Sequence, residues 1–331
     1  MATLRYALTR VLSGLGVLLV VAFVTFAVFY LLPSDPAQLS CGRPCTPESL
    51  ALAKGFMGLD HPWYQQFVEF VTGIVTGRTF GSGATAVVCP APCFGYSFQQ
   101  TAPVASLIAD RLPVTVSLAL GAAVLWLVVG VALGVVAALR RGRAADHVLS
   151  GLSVIGVSAP VYLLGLLGIL LLGFTLDVVP VSGYVPLSSS PLDWAWHLAL
   201  PWAVLACING AVYVRLARGQ MLEVLSEDYI RTARAKGLPE RTVVGKHALR
   251  NVTLPLVTLF GLDLGGLLGG AVITEKTFGM PGVGSLLLDA VGQLDLPLLL
   301  GTTLFAAVLI VLANIVVDLV YGLLDPRARI A

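Results

Sequence analysis

Four cysteines in the first third of the chain have the most evident chemistry. Cys41 and Cys45 form one pair with three residues between them, and Cys89 and Cys93 form another. Such pairs either bind a metal ion or form disulfides in an oxidising compartment. No histidine lies in either pair, and the spacing differs from that of a zinc knuckle. The pattern favours two disulfides, with three possible connectivities, and no metal site. The fifth cysteine, Cys207, is expected to be a buried, free thiol.

The other reactive side chains form no recognised catalytic pattern. The chain has neither H-E-x-x-H nor G-x-S-x-G. The four histidines lie in four different loops: His61, His147, His197 and His247. A phosphate-binding G-x-x-x-x-G-K-[ST] is also missing from the sequence. We therefore expect no catalytic residue and no bound cofactor in this chain.

Apolar helices must position these residues. Of 331 residues, 57% are hydrophobic and 11% are charged, whereas soluble domains carry about 25% charged residues. A membrane-spanning helix needs about 20 largely apolar residues. Six stretches meet this requirement, near 11–32, 112–139, 148–174, 198–217, 254–274 and 298–320. The sequence predicts an all-α membrane protein with six transmembrane helices.

Lys and Arg residues are segregated along this topology. Fifteen of the 20 lie near the termini and in the two connections expected on the same side. The positive-inside rule places that side, and both termini, in the cytoplasm. The predicted domains are residues 1–32 with the first helix, an external cap at 33–111 stapled by disulfides, and a core transmembrane domain at 112–331.

The cap is expected to contain two short helices separated near Gly55 to Pro62. Thr46 can cap the first helix, with Pro47 at its first position. Apolar side chains of the second helix should cover the outer face of the bundle: Trp63, Phe67, Phe70, Val71 and Ile74.

Polar residues in or beside the apolar spans are candidates for a translocation pathway. We assign Asn209, Asp263 and Glu275 to this group. An ionised carboxylate in a membrane span is costly and normally faces protein or water. Asp263 therefore lies either on a pathway or in a structural bond between helices. Glycines recur at intervals of four at Gly130 and Gly134, and from Gly261 to Gly269, which predicts close helix packing.

A strongly cationic segment, "YIRTARAKGLPERTVVGKHALRN", runs from Tyr229 to Asn251 between the fourth and fifth spans. Ser226 or Asp228 can cap a helix that reaches Lys236. Gly237 can end that helix in a left-handed turn, and Pro239 can open a second helix that continues to about Arg250.

Four roles are compatible with this cationic segment: a topogenic charge cluster, a contact with anionic lipid, a nucleic-acid site or a docking element for a cytoplasmic protein. Nucleic-acid binding would call for aromatic side chains beside the charge, and only Tyr229 is available. The small residues Thr232, Ala233, Ala235 and Gly237 favour docking, because they leave a low helix surface beside a turn.

The same segment resembles the EAA coupling loop of permease subunits in bacterial ATP-binding-cassette importers. Arg231, Thr232, Ala233 and Gly237 occupy the positions of the motif's Glu-Ala-Ala and Gly. The segment lacks the motif's Glu and first Ala, and in this respect it resembles the dipeptide and oligopeptide branch of the family. Four further segments also resemble that branch: "ARAKGL", "HALRN", "VITEKTFGMPGVGSLLLDAV" and "LLDPR". The resemblance extends from the first helix to the C-terminus, but it does not include the cysteine-bearing insert at 41–93.

This resemblance implies a permease subunit in the cell membrane that imports peptides by alternating access. It implies a second homologous permease, two ATPase subunits that hold ATP and Mg²⁺, and an extracytoplasmic solute-binding protein as partners. The resemblance also implies that membrane lipid surrounds the chain and that the chain binds no nucleic acid. Coupling to the ATPase would use a segment at 219–251. Its contact residues would be Asp228, Arg231, Thr232, Ala233, Ala235, Lys236, Gly237 and Leu238.

Two sets of alternatives remain. Within the same family, the substrate would be a nickel chelate or haem instead of a peptide. Outside the family, the apolar spans are also compatible with a channel or an intramembrane enzyme.

Overall fold

Helices account for most of the computed structural model, which describes residues 2–28, 37–38, 45–57, 61–80, 86–97 and 99–324. The first helices are α1 (Ala2–Phe26), α2 (Pro47–Met57), α3 (Trp63–Thr76), α4 (Val104–Leu139), α5 (Ala144–Ser158) and α6 (Val161–Gly168), which a π-helical turn extends over Ile169–Thr175. They are followed by α7 (Pro191–Ser226), α8 (Asp228–Ala235) and α9 (Glu240–Thr242), with a π-helical turn at Val243–Ala248. The last are α10 (Leu249–Leu268), α11 (Val272–Thr277), α12 (Val283–Gln293) and α13 (Leu296–Leu324).

Four helices are long and apolar enough to cross a membrane: α1, α4, α7 and α13. Two bent pairs also qualify when each counts as one span. One joins α5 to α6 with a bend of 103°, and the other bends by 49° between Glu240–Thr253 and Pro255–Leu268. The described residues therefore contain four to six candidate spans, and each of the six predicted stretches overlaps one of them.

The predicted third and fifth spans differ from straight helices. Ala159 is extended, with ψ 127°, at the break between α5 and α6. Pro160 follows it, and a residue before proline is disfavoured in the helical region. The predicted fifth span, 254–274, is interrupted after Leu268: Gly270 adopts φ +130°, and a separate helix, α11, begins at Val272.

Glycines allow α4 and α7 to pack closely in the centre of the bundle. A Cβ at Gly130 would lie 2.8 Å from Cβ of Tyr213, and one at Gly134 would lie 2.7 Å from the carbonyl oxygen of Val214. The contacts advance in the same direction on both helices, so α4 and α7 are parallel. The close packing predicted from the glycine spacing is confirmed here.

The helix α13 runs antiparallel to both α10 and α1. A Cβ at Gly265 would lie 2.7 Å from Cβ of Ala313, and one at Gly14 would lie 2.9 Å from Cγ1 of Val311. Arg10 and Asp318 pair at 3.3 Å. These directions bring the start of α1, the ends of α4, α7 and α13, and the cationic segment to one end of the bundle, called here the cationic end.

The opposite end carries the cap, and we call it the cysteine end. Thr46 caps α2 as predicted, because its hydroxyl accepts a hydrogen bond from the Ser49 N–H at 3.2 Å. The break between α2 and α3 also falls where the sequence placed it. On α3, Phe67, Phe70, Val71 and Ile74 pack into a core cluster. Trp63 was expected to join them, but it is 50% exposed and touches Phe23 of α1 at the edge of the cluster.

Short strands complete the cap. The strands β1 (Arg78–Phe80) and β2 (Val87–Cys89) pair antiparallel, as do β3 (Tyr96–Ser97) and β4 (Ala102–Pro103). Buried Asp295 accepts hydrogen bonds from the Ser97 hydroxyl and from the Leu298 N–H. It thereby caps α13 and fixes β3 to the bundle. The sequence analysis missed this residue, although an Asp followed two positions later by Pro297 is a recognisable helix-start signal.

Candidate functional site

The cationic segment folds as a helix, a glycine turn and a second helical stretch. The helix α8 ends at Ala235, and Gly237 adopts φ +77°, a left-handed conformation that glycine reaches without strain. Pro239 then takes the position before α9. The predicted turn is therefore confirmed. The predicted N-caps are wrong, because Glu227 occupies that position and makes no side-chain cap bond.

One face of α8 packs against the chain itself. Ile230 is fully buried and Ala233 is 7% exposed, and their spacing of three places them on one side of the helix. They belong to the same core cluster as Val243 and Ala248 of the following π-helical turn. Ala233 was predicted to lie on the docking surface, and the structure corrects this. The side chain supports the hairpin from behind.

The other predicted coupling residues are exposed and form the free side of the hairpin. They are Asp228, Arg231, Thr232, Ala235, Lys236, Gly237 and Leu238. Arg231 pairs with Asp228 at 3.3 Å within α8, and both side chains are largely solvated. A pair so exposed contributes little to stability, so these charges remain available to a partner.

Two polar contacts fix the two helical stretches of the hairpin to each other. The Arg234 guanidinium donates to both carboxylate oxygens of Glu240, at 2.6 and 3.2 Å, across the Gly237 turn. The Asn251 amide donates to the Tyr229 hydroxyl at 2.6 Å. With the apolar contacts beneath α8, these bonds hold the hairpin as one unit.

The hairpin is connected to the bundle beside a second arginine–carboxylate pair. Arg218 of α7 donates to both oxygens of Asp146 of α5, at 2.5 and 2.9 Å. The Gly142 N–H donates to the same carboxylate at 3.0 Å. Sequence reasoning missed this pair, since the partners are 72 residues apart and only an acid in the first turn of α5 hinted at a role.

The predicted pathway residues Asn209 and Asp263 lie on neighbouring helices of the core. Asn209 is half-buried on α7, and its amide nitrogen donates to the Leu205 carbonyl at 3.0 Å. Asp263, also half-buried, lies on α10 and accepts a hydrogen bond from the Tyr213 hydroxyl at 2.9 Å. Tyr213 follows Asn209 by four residues, so both project from the same side of α7.

Glu275 has a different environment from the other two pathway candidates. Its side chain is fully buried at the cysteine end, where it accepts hydrogen bonds from the Thr115 hydroxyl and the Ser285 N–H, each at 2.7 Å. Thr115 also accepts from the Val283 N–H at 2.9 Å. Burial raises the pKa of the Glu275 carboxyl, against the opposing effect of these bonds. Glu275 thus links α4, α11 and α12, and its contacts give no support to the pathway role predicted for it.

The cysteines follow the disulfide interpretation where the structure describes them. Cys89 and Cys93 are bonded to each other, and Cys45 is disulfide-bonded. Cys41 lies outside the described residues. Cys207 is free as predicted, but it is exposed on α7 and not buried. Within the described ranges, no group of three Cys, His, Asp or Glu side chains is placed to hold a metal ion.

The architecture and these sites define a polytopic membrane protein with an exposed hairpin at one end. Matches to two known sequence families identify the class of membrane protein. Residues 130–330 match the family described as binding-protein-dependent transport system inner membrane component, and residues 3–119 match the corresponding N-terminal family. The chain belongs to this family of multi-pass inner membrane proteins.

Individual relatives align with nearly the whole chain. A putative peptide transport system permease protein of Brucella abortus (strain 2308) is 39% identical over 322 residues, which is 97% of this chain and 98% of that protein. The dipeptide transport system permease protein DppB of Escherichia coli (strain K12) is 36% identical over 350 aligned positions, covering 98% of this chain and 99% of DppB.

A solved structure supports the fold. A chain of the MetNI methionine ABC transporter, in an inward-facing conformation, matches 67% of this chain with a TM-score of 0.52. The match covers 97% of that chain at 17% identity. At this identity the likeness concerns the fold alone.

Proposed function

We propose that this chain is a membrane-spanning subunit of an ATP-binding-cassette importer for di- or oligopeptides. The observation that carries the proposal is similarity over at least 97% of the chain to permeases named for peptide or dipeptide transport. This similarity includes the cap as well as the transport core. It therefore supports a shared substrate class and not only a shared core architecture.

In this proposal each bent helix pair is one span, which gives six spans with both termini in the cytoplasm. The cationic end gathers most of the Lys and Arg residues, and the positive-inside rule assigns such an end to the cytoplasm. The cysteine end then faces the oxidising exterior, in agreement with the Cys89–Cys93 disulfide.

The partners follow from what this chain lacks and what it exposes. It has no phosphate-binding loop motif, so ATP and Mg²⁺ would be bound by two separate ATPase subunits. The exposed side of α8 and the Gly237 turn would contact one of them. A second, homologous permease would complete the pathway, and a solute-binding protein would deliver peptide at the cysteine end.

The hairpin can transmit ATPase motion because it is stiff and continuous with the bundle. The two-pronged bonds of Arg234 with Glu240, together with the apolar contacts beneath α8, restrain α8 relative to α9. From α9 the chain continues helically into α10, which packs on α13. Displacement of the hairpin would therefore tilt α10 and α13, and switch access to the pathway between the two sides.

The test is uptake by the complete importer in proteoliposomes. ATP-driven accumulation of labelled alanyl-alanine is expected, and an ATPase subunit with its phosphate-loop lysine replaced should abolish it. Nickel–histidine and haem serve as competing substrates. Accumulation of either one, without accumulation of di- or tripeptides, would assign the chain to another branch of the family.

A further inference from the structure

Asp263 is a carboxylate within an apolar helix, and no cationic partner is available among the described residues. On its own helix the nearest cation is Arg250, thirteen residues away, or roughly 20 Å along the axis. Its hydrogen bond with Tyr213 uses only Oδ2. No described group donates to Oδ1. An unneutralised carboxylate at this depth is costly until a proton or a cation compensates its charge.

Two other carboxylates beside the spans, in contrast, each have an arginine partner. Asp318 pairs with Arg10, and Asp146 pairs with Arg218. At these two sites near the cationic end, where a carboxylate joins two helices, the chain supplies an arginine. Asp263 receives only a neutral hydroxyl, so its charge remains available to a cation that comes and goes.

Asp263 has a buried aromatic side chain on one side and an exposed glycine on the other. Tyr213 is fully buried, 6.4 Å from the Trp126 ring, and its hydroxyl is held in place. Gly266 lies nearly one turn from Asp263 and is exposed, and apart from its chain neighbours and its own helix backbone no described atom lies within 4 Å of the position that a Cβ would take. A small group can approach the carboxylate through this space.

Asn209 supplies a second acceptor on the facing helix. Its amide nitrogen donates to the Leu205 carbonyl, and among the described residues no group donates to its side-chain oxygen. An ammonium group carries three donors and no acceptor. A carboxylate and an amide oxygen on two helices match that requirement.

We propose that Asp263 binds the protonated α-amino group of a peptide as it passes between α7 and α10. Asn209 is the second acceptor, and Tyr213 is a positioning residue that orients the carboxylate. This inference rests on the proposed function. Every linear peptide with a free N-terminus carries this group, so a site for it serves many side-chain sequences.

The first test is uptake of alanyl-alanine by the complete importer. Asp263→Asn should lower uptake at least about tenfold, the scale of one charged hydrogen bond, and Asp263→Glu should recover part of it. Tyr213→Phe should have an intermediate effect. Asp318→Asn is the control, and it should retain wild-type uptake because its charge serves α1 and α13.

A second test does not depend on the solute-binding protein. A Gly266→Cys, Cys207→Ala variant places a thiol in the open space, and its labelling by a maleimide is timed in the permease–ATPase assembly. Millimolar alanyl-alanine should slow labelling, whereas propionyl-alanine, which lacks the amino group, should not. Adding Asp263→Asn should remove the protection.

Equal protection by both compounds, or protection that survives Asp263→Asn, would overturn the inference. So would an Asp263→Asn chain that no longer co-purifies with the second permease, since its cation would then come from that subunit. Failure of the proposed function is a distinct result, because the wild-type importer would then take up no peptide.

Discussion

Arg218 and Asp146 form a two-pronged ion pair that joins α7 to α5 at the cationic end. Only 5% of the Asp146 side chain and 30% of the Arg218 side chain are exposed. Since α7 leads directly into α8, this pair fixes the base of the hairpin. The ion pair therefore links motion of the hairpin to motion of the helix bundle.

We predict that Asp146→Asn lowers both the thermal midpoint of the purified importer and its peptide uptake. The change leaves the Arg218 charge largely buried without a partner. Arg218→Lys should lower both to a smaller extent, because it keeps the charge but loses the planar fork. Asp228→Asn breaks the solvated pair with Arg231 and is the control. Equal effects at the two pairs would refute the prediction.

Ala233 and Ala235 provide a second test, because they lie two residues apart on opposite sides of α8. Ala233→Leu inserts a large side chain against Val243 and Ala248, and such overpacking typically costs about 1–3 kcal/mol. We expect a lower thermal midpoint for this variant. Ala235→Leu faces outward and should preserve the midpoint, but it should reduce ATP hydrolysis stimulated by the loaded binding protein.

Both readouts are required for each alanine variant. If Ala235→Leu leaves stimulated ATP hydrolysis and uptake unchanged, the exposed side of α8 is not the ATPase contact. If Ala233→Leu leaves the midpoint unchanged, the packing beneath α8 is looser than its burial indicates.

Local signals in the sequence located most of the helices and the turn of the hairpin. Apolar length located the spans, and Gly237 with Pro239 located the hairpin, because these residues constrain the backbone wherever they occur. Thr46 and Pro47 likewise located the start of α2. Each of these features depends on neighbours within a few residues.

Contacts between distant residues could not be read from the same signals. The burial of Ala233 depends on the π-helical turn that folds beneath α8, and the role of Asp263 depends on Tyr213, 50 residues earlier. The burial of Glu275 depends on Thr115 of α4, 160 residues away. A single sequence shows that such residues are unusual for their surroundings, but it does not identify their partners.

Gly237 offers a test of the backbone alone. No atom lies within 4 Å of the position that its Cβ would take, so a side chain there meets no steric conflict. The left-handed conformation costs other residues roughly 1–2 kcal/mol. We predict that Gly237→Val allows membrane insertion and assembly but lowers uptake per ATP hydrolysed. Gly237→Asn is the matched control, since Asn tolerates this conformation. Normal uptake by the Val variant in proteoliposomes would contradict the prediction.

Glu275 should make the stability of the cysteine end depend on pH. Burial raises the pKa of its carboxyl above the ordinary value of 4.5. An acid whose folded-state pKa is raised stabilises the fold fully below the ordinary pKa, and this contribution is lost as pH rises through the raised pKa. Glu275→Gln removes the titration but loses a hydrogen-bond acceptor, so the variant should be less stable than wild type at acidic pH.

The difference in thermal midpoint between wild type and Glu275→Gln should therefore narrow as pH rises, because only the wild type gains a buried charge at position 275. The measurement is the thermal midpoint of both proteins from about pH 4.5 upward. The buried carboxyl of Asp295 is shifted in the same direction, but it titrates in both proteins and cancels in the difference. A gap that is constant with pH, or that widens toward alkaline pH, would show that the charged form is stabilised by the hydroxyl and amide donors around it.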